Sequence, residues 1–260
     1  MIITRRGFLK LSGAALLAIA LPDRSAAAAF HVPVLMYHHI GAPSQEFETV
    51  APAQFAAQME WLYGEGYRAL SVAELATPQV RDGDKVVLIT ADDGHASFLD
   101  HAFYLLREYG FKATMNIVGR SVGGYVNENH PRLSWDECRY LMQSGLVEIG
   151  CHTYDLHGQP GRSSTAAAIA RFNEKLAEDL GLFQQVYKRE LGKSADILAW
   201  PYGIYDQKSI AIARNAGFKY LLSSDERYVE RESDRSDIPR IVVHNKMDLE
   251  KFRGMIERKA

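Results

Sequence analysis

Cysteine, excess charge and long hydrophobic runs are all scarce in this sequence. Only two cysteines occur in 260 residues, Cys138 and Cys151, which is too few for a disulfide framework, so we expect free thiols. The formal net charge is −2, whereas a nucleic-acid-binding protein normally carries a basic excess, which argues against a nucleic-acid partner. The apolar run at 11–21 is too short to cross a bilayer comfortably.

The first 29 residues have the composition of an export signal. Arg5 and Arg6 stand in a charged segment, the short apolar run follows, and small residues at 25–29 offer an A-x-A type cleavage site. This order is typical of a twin-arginine signal peptide, the alternative being an uncleaved membrane anchor. We therefore expect a mature domain at 30–260 that is periplasmic or secreted and has no stable membrane span.

Strand and helix patterns alternate about seven times along the remaining chain. Strands are predicted at 33–37, 67–72, 85–93, 112–118, 146–150, 197–200, 220–223 and 238–244. Helices are predicted at 52–66, 71–75, 98–109, 134–144, 164–191, 207–215 and 247–258, with loops at 120–132 and 225–237. Because no internal repeat or long linker interrupts this alternation, we expect one parallel α/β domain, either a barrel or a doubly wound sheet.

Chemically active side chains follow several predicted strands. Asp92 and Asp93 end an uninterrupted apolar strand, which is the pattern of a strand buried on both faces. The other candidates at strand ends are His38, His39, His152, His157, Trp200, Pro201 and Tyr202. Since α/β folds place their sites at the carboxyl ends of parallel strands, we expect these side chains to converge.

Two imidazoles and a carboxylate form the ligand set of a catalytic divalent metal. His152 and His157 would diverge by about 140° on one helix, so they can share an ion only if the chain turns between them. Gly158 and Pro160 favour such a loop. Taken singly, each histidine is more often an ordinary surface or core residue. If one of two adjacent aspartates binds a metal, the other is free to take a proton from water.

Four motifs resemble those of the polysaccharide deacetylases, carbohydrate esterase family 4, also called the NodB-homology fold. They are PVLMYHHI at 33–40, TADDG at 90–94, HTYDLH at 152–157 and WPYG at 200–203. The resemblance extends from about residue 33 to residue 244 and is closest to poly-β-1,6-N-acetylglucosamine deacetylases. It implies a single-domain distorted (β/α) barrel and metal-dependent removal of acetyl groups from N-acetylglucosamine units of an acetylated polysaccharide.

The resemblance also implies roles for individual residues. The matched positions are Asp92 for the general base, Asp93, His152 and His157 for the metal ligands, Tyr202 for the backbone N–H that holds the oxyanion, and His38 for the acid. The ion in this family is usually zinc, so Zn²⁺ is the expected cofactor.

The chain departs from the family pattern at a few positions. Ala91 replaces a phenylalanine, which should matter little. Leu198 stands where an arginine usually braces the base, and Arg240 is our candidate for its replacement. The usual C-terminal histidine corresponds to His244, so the acid is either His38 or His244, and we favour His38.

Aromatic residues near the motifs are candidates for stacking on sugar rings: Tyr154, Trp200, Tyr202 and Tyr125, for each of which ordinary packing is the alternative. Peptidoglycan, chitin and acetylated xylan are alternative substrates. Readings from other classes are a metal-dependent hydrolase of peptides or phosphate esters and a non-catalytic sugar-binding domain. A non-catalytic domain would be expected to lack the base or a metal ligand, whereas the base Asp92 and the ligands Asp93, His152 and His157 are all present.

Overall fold

The structure is a computed structural model that describes residues 30–75, 80–124, 130–159 and 165–258. The expected signal peptide at 1–29 and the stacking candidate Tyr125 lie outside these residues. Among the helices of the described residues, none combines the length and the apolar character that a membrane crossing requires.

Ten strands occur in the described residues. They are β1 (His31–Val32), β2 (Val34–Tyr37), β3 (Arg68–Leu70), β4 (Val86–Ala91), β5 (Ala113–Ile117), β6 (Val147–Cys151), β7 (Ile197–Ala199), β8 (Tyr220–Leu222), β9 (Val229–Glu230) and β10 (Ile241–Val242). A parallel sheet has the order β10-β2-β4-β5-β6-β7-β8, and β3 pairs in parallel with β4. The eight predicted strands are confirmed in position. The predicted loop at 225–237 also contains β9, which pairs antiparallel with β1.

The segment before β10 closes the sheet. Ile238 forms a parallel bridge to Leu222 in β8, while Ile241 pairs with Leu35 in β2. One stretch of chain therefore contacts β8 at one end of the strand order and β2 at the other, which makes the sheet a distorted barrel rather than an open doubly wound sheet. This double contact also explains why the predicted strand at 238–244 is reduced to two residues: its first part pairs with one edge and its second part with the other.

The helices cover the outside of the barrel. They are α1 (Pro52–Gly64), α2 (Val72–Leu75), α3 (Tyr104–Tyr109), α4 (Trp135–Gln143), α5 (Ala166–Leu191), α6 (Gln207–Asn215) and α7 (Leu249–Ile256). A π-helical turn, Phe98–Phe103, leads into α3, and 3₁₀ turns occupy Gly119–Ser121 and Pro201–Gly203. Ser134 and Glu137 form the predicted capping box at the start of α4. The predicted helices are confirmed, with ends that differ by a few residues.

The core is the interior of the barrel and the layer between sheet and helices. All six residues of β4 are buried, as its uninterrupted apolar sequence predicts. The apolar stripe of α5 is buried along Phe172, Leu176, Leu180, Phe183 and Tyr187. Cys138 and Cys151 are buried free thiols, as expected.

Candidate active site

One cleft of about 550 Å³ lies at the carboxyl ends of the strands. The sequence-predicted residues that line it are His38, Asp92, Asp93, His152, His157, Trp200, Tyr202 and Arg240. The structure thus brings these eight candidates together. The other described candidates, His39, Pro201, Tyr154 and His244, are not among the residues that line this cleft.

Asp92 follows β4 and is held by three hydrogen-bond donors. Arg240 forms a bidentate pair with it, Nη1 to Oδ1 and Nη2 to Oδ2, both at 2.8 Å. Asn116 in β5 donates its amide N–H to Oδ1 at 2.8 Å. Arg240 is in turn oriented by the carbonyl of Ser223, which accepts from Nε at 2.8 Å. Arg240 thus occupies the bracing position that the sequence analysis assigns to it.

The ionised form of Asp92 is favoured by its neighbours. Burial alone raises the pKa of this carboxyl, since Asp92 is 1% exposed. The charge of Arg240 and the hydrogen bonds that it donates outweigh burial and hold the pKa below its ordinary value. Asp92 is consequently an ionised, fully oriented carboxylate at neutral pH.

Asp93 contacts a different set of neighbours from those of Asp92. Its φ of 70° is in the left-handed region, which aspartate tolerates better than most residues. Its Oδ1 lies 3.0 Å from Nε2 of His157 and 3.6 Å from Nε2 of His152. No described group donates a well-aligned hydrogen bond to this buried Oδ1. An acceptor left open between two imidazole nitrogens is what a bound cation would satisfy.

The tautomer of His152 also suits metal binding. Its Nδ1 lies 2.8 Å from the carbonyl oxygen of Ala199, which can only accept, so Nδ1 carries the proton. Burial lowers the pKa of His152 to about 4, so the ring is neutral at pH 7 and Nε2 keeps its lone pair. Asp93, His152 and His157 offer ligand atoms within 4.8 Å of one another. The donor set and its geometry therefore fit a catalytic divalent ion.

The turn between His152 and His157 depends on Thr153 within the motif and on Asp179 outside it. Thr153 has a φ of 69°, which reverses the chain after β6. The carboxylate of Asp179 in α5 then accepts the backbone N–H groups of Tyr154 at 2.7 Å and Asp155 at 2.8 Å. These two hydrogen bonds hold the turn, so that the imidazoles of His152 and His157 can face the same ion. Asp179 has no recognisable sequence signal, because its partners are backbone groups of a distant segment.

We expect Asp179→Ala to weaken metal binding by about 10–100-fold, because an unclamped turn no longer holds His157 in place. The dissociation constant for Zn²⁺, measured by competition with a chromophoric chelator, checks this expectation. Glu178→Gln, an exposed neighbour on the same helix, is the matched control. Unchanged affinity in Asp179→Ala would show that the turn is held by other contacts.

The two candidates for the acid occupy different places. His38 lines the cleft with Asp92 and Asp93, and no described group hydrogen-bonds its buried Nδ1. His244 stacks on Phe47 with ring centroids 4.2 Å apart and lies outside the set of described residues that line the cleft. The geometry therefore favours His38 over His244.

Tyr202 is an exposed stacking candidate. The residue is 39% exposed, and the centroid of its ring lies 5.4 Å from that of His157. Its φ of 56° belongs to the tight turn Pro201–Gly203. A Cβ at Gly203 would lie 1.9 Å from Oγ of Ser224, so this position requires glycine. The turn thus holds the Tyr202 backbone at the cleft.

Of the other two described stacking candidates, Trp200 is buried and Tyr154 is partly buried. Trp200 is 1% exposed and stacks on Tyr205, with centroids 5.5 Å apart. Tyr154 packs against the core, where a Cβ at Gly119 would meet its ring at 2.6 Å. Tyr154 is also absent from the described residues that line the cleft. Tyr154 is thus partly buried against the core and lies outside this cleft, and its stacking role stays a prediction.

Further residues contact the aspartates and were missed by the sequence analysis. Arg132 donates from Nη1 to the carbonyl oxygen of Asp93 at 2.7 Å, and Nε2 of His95 lies 3.7 Å from its Oδ2. Asn116, in the neighbouring strand, bonds Asp92. His95 stands two residues after Asp93 and could have been found at the same strand end. Arg132 carries no local signal, because it is the last residue of the predicted loop at 120–132.

Comparisons with known proteins identify the family and the fold. A family model described as polysaccharide deacetylase matches residues 79–221, more than half of the chain. The poly-β-1,6-N-acetyl-D-glucosamine N-deacetylase of Staphylococcus aureus (strain MSSA476) is 26% identical over 212 residues, covering 81% of this chain and 71% of that protein. The structure of IcaB from Ammonifex degensii superposes with a TM-score of 0.75 at 25% identity, covering 87% of this chain and 96% of that one. The Streptococcus pyogenes deacetylase PplD, solved in complex with acetate, superposes with a TM-score of 0.73 at 22% identity, covering 88% and 99%.

Proposed function

Since this chain belongs to the polysaccharide deacetylase family and is a hydrolase of amide bonds, we propose that it removes acetyl groups from N-acetylglucosamine units of poly-β-1,6-N-acetylglucosamine. One observation carries the reaction type: an arginine-braced carboxylate, Asp92, lies beside the ligand cluster of Asp93, His152 and His157 in a single open cleft. The choice of glycan is supported by the likeness to the Staphylococcus aureus enzyme, whose name states that substrate.

Metal dependence is the second part of the proposal. Asp93, His152 and His157 would hold the ion, and Zn²⁺ is the proposed one because imidazole nitrogens and one carboxylate suit it. When bound, such an ion supplies a water of lowered pKa and polarises the acetamide carbonyl.

The remaining roles belong to the chain itself. Asp92 is the general base and accepts a proton from the attacking water, because it is ionised and oriented for that task. The backbone N–H of Tyr202 donates to the developing oxyanion. His38 donates a proton to the leaving amine, which frees acetate and a glucosamine unit. Arg240 positions Asp92 and does not contact substrate in this scheme.

The location of the reaction is also proposed. A twin-arginine signal at residues 1–29 would export the folded protein to the periplasm or beyond the cell. This location is where an extracellular polysaccharide would be met.

Acetate release from a panel of glycans tests the proposed function. We expect release from poly-β-1,6-N-acetylglucosamine oligomers to exceed that from chitin oligomers, peptidoglycan and acetylated xylan, and to be lost with a chelator and restored by Zn²⁺. Preference for another glycan would keep the reaction and overturn the substrate. Activity that survives full removal of metal would overturn metal dependence. Binding of glycan without acetate release would support the non-catalytic alternative, which the intact set of base and ligands argues against.

A further inference from the structure

A second cluster of histidines adjoins the candidate active site. His39 follows β2, His95 follows β4, and His130 lies shortly before α4. One ring nitrogen from each histidine lies within 4.8 Å of one from each of the others. The rings of His39 and His130 are stacked with centroids 4.2 Å apart, and His95 lies 5.1 Å from His39. Three imidazoles from three separate segments therefore share one small volume.

One histidine of this cluster has an unpartnered ring nitrogen. His95 is 5% exposed, and its buried Nδ1 makes no hydrogen bond to any group of the described chain. An unsatisfied buried polar atom costs folding free energy, typically about 1–3 kcal/mol, unless something binds it. A ligand for Nδ1 of His95 is therefore expected, and a metal ion held with the two neighbouring rings supplies it.

The surroundings prepare the rings for a cation. Oγ of Ser97 lies 3.0 Å from Nδ1 of His39 and orients that ring, as outer partners of metal ligands do. A Cβ at Gly41 would lie 2.2 Å from Nε2 of His39, so the absence of a side chain there leaves room for the ring. Glu46 brings a carboxylate oxygen to 3.8 Å from Nε2 of His130, which offers negative charge and a fourth ligand.

We propose that His39, His95 and His130 form a second divalent-metal site, separate from the ligand set of Asp93, His152 and His157. Three imidazoles with one carboxylate nearby suit Zn²⁺ or a similar transition ion rather than Mg²⁺ or Ca²⁺, which prefer oxygen ligands. The bound ion links the segments after β2 and β4 to the segment before α4. Because Nε2 of His95 also lies 3.7 Å from Oδ2 of Asp93, occupancy of this site helps to position a ligand of the first one.

Metal stoichiometry by elemental analysis tests this site. After metal removal and equilibration with excess Zn²⁺ followed by desalting, the full protein is expected to retain about two ions per chain, and His39→Asn/His130→Asn about one. His152→Asn/His157→Asn is also expected to retain about one ion. His101→Asn, an exposed histidine of the turn Phe98–Phe103, is the matched control and should retain both.

The outcomes separate the two sites. A single ion that is lost in His152→Asn/His157→Asn and kept in His39→Asn/His130→Asn overturns the second site alone. A single ion with the reverse pattern supports the second site and overturns the metal centre of the proposed function. Retention of two ions in His39→Asn/His130→Asn also overturns the second site.

A second measurement, Co²⁺ absorption, does not require that His39→Asn/His130→Asn folds. In His152→Asn/His157→Asn protein, added Co²⁺ should give the visible bands of a low-symmetry, nitrogen-rich site, and adding the single change His130→Asn should remove them. Saturating Zn²⁺ should raise the Tm of the first protein and leave that of the second unchanged. Equal spectra and equal Tm shifts in the two proteins would overturn the proposal.

Discussion

Replacing Asp92 by asparagine should lower kcat/KM for deacetylation by about 10²–10⁴-fold, the usual contribution of a positioned general base. The amide cannot take the proton of the attacking water, although it fills the same space beside Arg240 and Asn116. Metal should stay bound, because Asp93, His152 and His157 are unchanged. Acetate release and elemental analysis on the same preparation measure the two properties separately.

Two comparisons make this result interpretable. Asp100→Asn is the matched control, since it makes the same chemical change at an exposed position in the turn Phe98–Phe103 and should leave activity unchanged. Asp93→Asn should instead lose metal together with activity. If Asp92→Asn also lost its metal, Asp92 would be a ligand rather than the base.

The apolar strand with its two terminal carboxylates was the most informative stretch of sequence. A fully buried β4 is required by its composition, and the position of a site at its carboxyl end follows from the behaviour of parallel strands. His152 and His157 were predictable as ligands only on the condition that the chain turns between them, and Thr153 makes that turn. The local sequence pattern thus predicted the metal ligands but not the contacts that orient them.

The residues that the sequence did not reveal act across the fold. Asp179 binds backbone groups of another segment, and Arg132 contacts a carbonyl oxygen, so neither has a spacing that identifies it. The cluster of His39, His95 and His130 has no sequence pattern, because its members lie 35 or more positions apart. They come together only when separate segments pack in the fold. Tyr154 shows the converse, since an aromatic residue inside a motif is used for packing.

Replacing Arg240 by methionine should destabilise the protein by about 3–5 kcal/mol at neutral pH, which is the usual cost of removing one partner of a buried ion pair. Arg240 is fully buried, and its guanidinium makes two 2.8 Å hydrogen bonds to Asp92. Methionine fills much of the volume but leaves the carboxylate without its counter-charge. Urea unfolding at pH 7 measures the difference in free energy of unfolding.

This destabilisation should shrink as the pH falls below about 4, the ordinary pKa of an aspartate in an unfolded chain. In the native protein the pKa of Asp92 is lowered, so its pairing stabilises the fold above that pH and loses effect as the pH falls through the folded-state pKa. In Arg240→Met, burial raises the pKa of Asp92 instead, so a neutral carboxyl is reached sooner and the penalty for a buried charge disappears. A destabilisation independent of pH would mean that lost packing, rather than charge, is the cause.

A double-mutant cycle separates the charge from the packing. Asp92→Asn alone leaves a buried guanidinium unpaired, and Arg240→Met alone leaves a buried carboxylate unpaired, so both single variants should be destabilised. Asp92→Asn/Arg240→Met leaves neither charge, so its loss of stability should be smaller than the sum of the two single losses. Arg240→Lys should recover part of the stability, because the ammonium restores charge without the bidentate geometry. Additive losses in the cycle would show that Arg240 and Asp92 stabilise the barrel independently, and the bracing role assigned to Arg240 would then be wrong.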